Sequence, residues 1–202
     1  MGLREQNAER TRAHIIDVAI ELFFAQGYEQ TTMEQIAERA DVGSTTLYRY
    51  FPTKDLLLLH QLSAFDWGPA LRARPEGEPI DVSLGLLLRD TLDSQSGSSD
   101  SGRLRQIIDE IPVARARLLD IANRELRDLE TALAERIGRA ADDVVVTFTA
   151  RMMYQIYEIA FVQWWSGDRS ASSTRVLEEI LESLHQQHFI LPASLEPSKA
   201  SA

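Results

Sequence analysis

The run from Thr31 to Phe51 constrains the fold more than any other part of the sequence. Ile36, Ala37 and Ala40 fall at helical spacing along one side of a first segment, and Leu47 and Phe51 lie one turn apart on a second. Thr31 or Thr32 supplies an N-cap for the first segment, with Glu34 or Gln35 three residues on, close to a capping box. Asp41 occupies the turn between the segments, where φ > 0 is expected and where Asp and Asn are better tolerated than most residues. Val42 packs under that turn, and Gly43 or Ser44 caps the second segment. The layout is two short helices joined by a tight turn, a helix-turn-helix. Its second helix presents Ser44, Thr45, Thr46, Tyr48, Arg49 and Tyr50 outward. Side chains of this kind can meet base edges and phosphates when such a helix enters a DNA major groove.

The flanking sequence reads as helix almost throughout. Residues 7–26 are amphipathic, with Ile15, Val18, Ala19 and Leu22 in one stripe, Asn7 as N-cap and Gly27 at the C-terminal turn. Pro52 and Thr53 break the chain before a long apolar helix expected from Lys54 to Trp67. Residues 68–79 form a loop by composition, 81–93 a helix, 94–102 a Ser- and Gly-rich connector, and 103–111 a short helix stopped by Pro112. Further helices are expected from Pro112 to Ile137, from Asp142 or Asp143 to Trp165 or Ser166, and from Ser172 or Ser173 onward, with a loose tail over 192–202. The sum is about nine helices and no convincing strand. The expected fold is all-α, with a three-helix helix-turn-helix domain over 1–53 and a larger helical domain over 54–191.

Composition narrows the function. The sequence has no cysteine, which removes disulfides, thiolate metal sites and cysteine nucleophiles. No stretch approaches the ~18 uninterrupted apolar residues of a membrane span, and the charged N-terminus does not resemble a signal peptide, so a cytoplasmic location without membrane contact is expected. The net charge is −10, and residues 1–60 hold six Lys/Arg against nine Asp/Glu. That sum does not exclude DNA, because phosphate attraction decays over about 8–10 Å at physiological salt and depends on one face only. It does imply weak non-specific binding.

Residues 10–60 resemble the DNA-binding domain of the TetR-type (tetracycline-repressor-like) transcriptional regulators. The resemblance is carried by Leu22-Phe23, Gly27-Tyr28, Thr31-Thr32, Ile36-Ala37, Ala40, Val42, Thr46-Leu47-Tyr48, Tyr50-Phe51 and Lys54. It implies DNA contacts from Thr32, Thr46, Tyr48, Tyr50 and Lys54. Geometry adds Ser44, Thr45 and Arg49, and the start of the first short helix at Thr31 and Thr32. Asp41, Gly43 and Thr45 depart from the family pattern, so the DNA sequence read cannot be transferred from relatives.

The resemblance also implies a homodimer on a palindromic double-stranded operator, and a cavity for a small apolar or amphipathic effector whose binding releases the DNA. The helix from Asp143 to Trp165 is apolar almost all round, as expected of a helix buried on several sides, one of them a partner subunit. Phe161, Trp164 and Trp165, with Leu177, Leu181 and Leu184 of the last helix, are the expected dimer residues. Trp67, Phe148, Met152 and Tyr157 are candidate pocket lining, with Arg151 and Gln155 as polar interruptions. The segment from Arg103 to Leu118 resembles a subgroup with acyl-type effectors, which adds Ile107, Ile111 and Leu118. An alternative reading is a constitutive DNA-binding or architectural dimer without an effector. Enzymatic readings find no support: the four histidines pair with no nucleophile signature, Glu182, His185 and His188 drift from a metal-binding spacing, and no phosphate-binding loop is present. No cofactor and no metal is expected.

Overall fold

The computed structural model describes residues 2–60, 66–96, 100–167 and 172–186. Among them are ten helices and no strand: α1 (Leu3–Gln26), α2 (Met33–Arg39), α3 (Ser44–Tyr50), α4 (Lys54–Leu59), α5 (Trp67–Arg72), α6 (Ile80–Ser96), α7 (Ser101–Glu110), α8 (Pro112–Ile137), α9 (Val144–Ser166) and α10 (Ser173–Gln186). The tail over 192–202 and His188 lie outside the described residues.

The extra helix relative to the sequence expectation is α5, made from residues assigned to the end of one helix and the start of a loop. Asp66 is non-helical (φ −75°, ψ 44°), so the helix beginning at Lys54 does not run into Trp67. α4 ends at Leu59, and Pro69 sits in the first turn of α5, where its missing N–H needs no partner within the helix. Packing then fixes the short helix. Trp67 is buried, its Nε1–H donates to Thr91 Oγ1 at 2.7 Å, and its ring meets Tyr157 edge-on at 6.1 Å. Beyond α5, the guanidinium of Arg136 donates to the carbonyls of Arg74, Pro75 and Glu78 and closes the loop. Glu78 accepts from Arg74 and from Ser83 Oγ, and these bonds hold its carboxyl down at about 2.

Two apolar clusters organise the chain. One gathers Ile15, Ala19 and Phe23 of α1, Ile36, Leu47 and Phe51 of the helix-turn-helix, Leu57, Leu58 and Leu59 of α4, and Leu104, Ile108, Ala114 and Leu118 of α7 and α8. The N-terminal head is therefore continuous with the core rather than tethered to it. The second cluster joins α5, α6, α8, α9 and α10 around Trp67, Leu88, Leu129, Met153, Tyr157 and Phe161.

Helix α9 is apolar on two sides for two different reasons. Val146, Ala150, Met153, Tyr157, Ala160 and Trp164 recur at helical spacing and are buried in the second cluster. On the other side Val144, Phe148, Ile159 and Val162 form an exposed apolar stripe, Phe148 being 58% exposed and Val162 53%. Among the described residues no helix is long and apolar enough to cross a membrane.

Helix α7 is locked to α9 at two points. A Cβ on Gly102 would come within 1.8 Å of the Trp165 ring, so glycine is what allows the helices to meet. Arg105 makes a bidentate ion pair with Glu158, at 3.0 and 2.9 Å, and this pairing raises its already high pKa. We predict that Gly102→Ala lowers unfolding stability by about 1–3 kcal/mol through forced displacement of Trp165. Denaturant unfolding checks this, and an unchanged midpoint would remove the proposed close contact.

Candidate nucleic-acid interface

The head is set by short-range bonds that the sequence encodes locally. Thr32 is the N-cap of α2: its Oγ1 accepts from the Gln35 N–H at 3.2 Å, and its own N–H donates to Gln35 Oε1 at 2.9 Å, a complete capping box. Asp41 has φ 52°, the left-handed turn conformation expected of it. The Val42 N–H returns to the Ala37 carbonyl at 3.0 Å, and Gly43 caps α3 with its carbonyl. Leu47 and Phe51 then face the core, which turns Ser44, Thr45, Tyr48 and Arg49 to solvent, with Thr46 half-buried.

Thr31 is not on this surface. It is 1% exposed, its Oγ1 donates to the Gly27 carbonyl at 2.8 Å, and it accepts from Gln26 Nε2 at 3.2 Å. The expectation that Thr31 touches DNA is corrected: its hydroxyl is spent on the α1–α2 loop. Tyr50 also differs from expectation. It is half-buried against the first cluster, with the Arg49 guanidinium 5.0 Å and the Arg12 guanidinium 5.7 Å from its ring centroid. The electron-rich ring attracts both cations, which offsets part of their mutual repulsion. Arg12 was missed in the sequence because only the tertiary fold brings α1 to this tyrosine.

Tyr48 donates its hydroxyl to Glu34 Oε1 at 3.1 Å, and that bond raises its pKa above the ordinary value. Glu34, on α2, was likewise absent from the sequence-derived site. It places a carboxylate beside the outward residues of α3.

Lys54 is built into the fold. Its Nζ donates to the Tyr28 carbonyl at 2.6 Å and the Thr31 carbonyl at 2.8 Å, and lies 4.1 Å from the Tyr28 ring centroid. Two of its three protons are thereby committed to the α1–α2 loop, and one remains for another acceptor. The next residue, Asp55, is 6% exposed, and Arg117 Nη1 of α8 lies 2.5 Å from its Oδ2. The same Arg117 nitrogen donates to Thr53 Oγ1 at 2.8 Å.

The expected effector residues fall into three places rather than one. Ile107, Ile111 and Leu118 join the head-side cluster, whereas Trp67 and Tyr157 are buried in the second cluster. Phe148, Arg151, Met152 and Gln155 lie along the outer side of α9. Arg151 and Gln155 line a cleft of about 360 Å³ between α8 and α9, with Leu119, Ala122, Leu126 and Tyr154. Burial raises the Tyr154 hydroxyl to about 12, with Glu158 adding to it. Met152 borders a crevice of about 130 Å³ with Ile156, Leu181, Leu184 and His185. The expected dimer residues also divide: Phe161, Trp164 and Leu177 are buried inside the protomer, while Trp165, Leu181 and Leu184 are half-buried. Sequence pattern could not choose between the two apolar sides of α9, and the exposed side is the other one. Among the described residues no cluster of histidine and acidic side chains is arranged to hold a metal.

A helix-turn-helix with an outward hydroxyl, tyrosine and arginine surface, fused to a wholly helical core, defines a DNA-binding transcription regulator. Residues 15–60 match the family described as bacterial regulatory proteins, tetR family. Over 204 aligned positions the chain is 31% identical to the HTH-type transcriptional regulator TcmR of Streptomyces glaucescens, covering 93% of this chain and 88% of TcmR. The chain belongs to the TetR family, whose members are transcriptional regulators and not enzymes. Its fold is similar to that of NalD, the secondary repressor of the MexAB-OprM multidrug efflux pump in Pseudomonas aeruginosa (TM-score 0.63, 23% identity, 90% of this chain and 96% of NalD). It is also similar to the regulator FadR of Bacillus subtilis in complex with stearoyl-CoA (TM-score 0.60, 19% identity, 85% of this chain and 96% of FadR).

The Lys54 contacts generate a stability prediction. Lys54→Met removes the ammonium donor from the Tyr28 and Thr31 carbonyls, the former keeping the Thr31 N–H, and is expected to cost about 1–3 kcal/mol. Tyr48→Phe, at an exposed hydroxyl, is expected to stay within about 0.5 kcal/mol of the parent. Equal thermal midpoints for Lys54→Met and the parent would show that the anchor carries no weight.

Proposed function

We propose that the chain is a homodimeric repressor that binds a palindromic operator and leaves it when a small apolar or amphipathic effector binds the core. The observation carrying this reading is the outward surface of α3, with Ser44, Thr45, Tyr48 and Arg49 exposed on a helix whose pose is fixed by Lys54 and the Asp41 turn. In this reading Arg49 and Arg12 meet DNA as an ordered pair around Tyr50. Thr46, Tyr48 and the spare proton of Lys54 reach neighbouring phosphates or bases.

The dimer is assigned to the exposed stripe of α9, Phe148, Ile159 and Val162, with Leu181 and Leu184 of α10. An apolar stripe on a two-helix surface is the form of an isologous helical interface. The effector is assigned to the cleft between α8 and α9, which combines Leu119, Ala122 and Leu126 with Tyr154, Arg151 and Gln155. The efflux-pump regulation stated for NalD and the stearoyl-CoA bound to FadR support an apolar or amphipathic ligand. From this cleft two lines lead to the head. Tyr154 is one helical turn from Glu158, which grips Arg105 of α7, and Arg103 of α7 lies over the Phe24 ring of α1 at 3.9 Å. Arg117 of α8 holds Thr53 and Asp55 at the start of α4. An effector acts through either line only in proportion to its differential affinity for the two head positions.

The test is selection of genomic fragments by the purified chain, followed by anisotropy titration of the selected operator. Arg49→Glu is expected to abolish operator binding, and Tyr48→Ala to weaken it about tenfold or more, with folding intact. Retained affinity in both variants sinks the docking mode. In sedimentation velocity, Ile159→Glu with Val162→Glu is expected to convert dimer to monomer, since an uncompensated charge in an apolar interface is strongly unfavourable. A dimer that survives both charges places the interface elsewhere.

A further inference from the structure

The side chain of Glu34 crosses from α2 to the outward surface of α3. Its Oε1 accepts the Tyr48 hydroxyl at 3.1 Å, and both residues are exposed. The next residue, Gln35, is already engaged within the head: its Oε1 accepts from the Thr32 N–H at 2.9 Å and from Gln26 Nε2 at 3.0 Å. Tyr48 lies one turn beyond Ser44 and Thr45, so the pair borders the residues assigned to DNA above. Among the described residues Glu34 forms no ion pair, and its second oxygen has no protein partner.

This bond decides what the pair can recognise. A phenol has one proton to donate, and here a carboxylate holds it, which raises the Tyr48 pKa and keeps the proton in place. What the pair then offers is acceptors: the lone pairs of Tyr48 Oη and of Glu34 Oε2. Phosphate oxygens are acceptors as well and carry the same sign of charge as Glu34, so the pair does not suit the DNA backbone. On the major-groove edge the donors are the amino groups of cytosine N4 and adenine N6. The adenine amino group stands between two acceptors, N7 of its own ring and O4 of thymine. The cytosine amino group has guanine O6 on one side only and a C–H on the other. A reader made of acceptors is therefore repelled less at cytosine.

We propose that the Glu34–Tyr48 pair reads a cytosine amino group in the major groove, with Glu34 as the specificity-determining residue and Tyr48 holding its carboxylate in place. This rests on the docking of α3 proposed above and goes beyond it, because it assigns a base and takes Tyr48 away from phosphate. Where another base stands at that position, Glu34 meets further acceptors and binding weakens.

The test uses the full chain and the operator it selects, by fluorescence anisotropy at fixed salt. Every base pair of the half-site is replaced in turn, C·G pairs by U·A, which puts a carbonyl where the amino group was and adds no methyl. At one C·G pair the replacement is expected to weaken binding of the parent about tenfold and that of Glu34→Ala less than about twofold. The other pairs are expected to rank alike in both proteins. Tyr48→Phe is expected to lose part of the same preference, since it frees the carboxylate. Thermal midpoints of the DNA-free variants report their folding. A profile identical to the parent's in either variant overturns the proposal. So does a Glu34-dependent preference for any other base, or an equal gain in affinity on every sequence, which would make Glu34 only a repulsive charge beside phosphate. Arg49→Glu on the same operator keeps the two readings apart. Retained affinity there sinks the docking mode, whereas abolished binding with an unchanged Glu34→Ala profile sinks the cytosine reading alone.

Discussion

Two consecutive residues at the start of α4 tie the head to the core. Lys54 reaches into the α1–α2 loop, and Asp55 faces Arg117 on α8. Successive side chains on a helix diverge by about 100°, so one turn can serve two partners at once. The chemistry of each partner fits the residue. The loop offers two backbone carbonyls and an aromatic face within a small radius, which a compact ammonium with three protons satisfies and a planar guanidinium does not. The sequence is otherwise rich in arginine, its other lysine being Lys199. On the other side the guanidinium of Arg117 spans Thr53 and Asp55, tying α8 to the residue that precedes α4 and to a buried carboxylate.

The same economy explains how a chain of net charge −10 can carry a DNA-reading head. Cations at the head are few, and they are arranged: Arg49 and Arg12 share the Tyr50 ring, and Lys54 is fixed by its loop contacts. Glu34 stands among them and takes the Tyr48 hydroxyl. A face of this kind attracts phosphate weakly over distance, because its carboxylate lies within the roughly 8 Å over which charges act at physiological salt. Binding energy then has to come from matched contacts more than from general attraction, which favours discrimination over affinity for arbitrary DNA.

Much of the head was legible because its determinants are local. The capping box of Thr32 and Gln35, the positive φ at Asp41, and the inward pair Leu47 and Phe51 each depend on residues a few positions apart. What was not legible depends on tertiary partners. Thr31 and Thr32 are equal candidates by sequence, and only Gln26 and the Gly27 carbonyl decide that the first turns inward. Arg12, Glu34 and Arg117 became part of the site through neighbours 38, 14 and 62–64 residues away in sequence, distances at which no short motif speaks. Helix α9 shows the limit most plainly: with apolar residues on both sides, periodicity gives the two stripes but not which is core. The core took Phe161 and Trp164 and left Phe148 and Ile159 exposed. Residues 67–72 failed for the opposite reason. Gly68 and Pro69 read as loop, but the proline sits in a first turn and Trp67 is anchored by Thr91.

The continuity of the first apolar cluster limits how the proposed head movement can occur. Leu57, Leu58 and Leu59 of α4 are buried together with Ile15 and Leu47 of the head and with Leu104, Ile108 and Leu118 of the core. Exposing even one of these leucines costs about 1.5–3 kcal/mol. Coupling energies between an effector and a distant site are typically of the same size, about 1–3 kcal/mol. A hinge that opened this cluster to water would therefore consume the whole of what an effector can supply. The movement consistent with that limit is a shear, in which α4 slides along α7 and α8 with its leucines still covered. The polar contacts then select the two positions. The bidentate Arg105–Glu158 pair and the Arg117 hydrogen bond to Thr53 are directional, and they lose strength after a small displacement in a way that packed leucines do not. In the proposed movement, apolar contacts at the joint would keep the head attached while the polar contacts set where along the slide it rests.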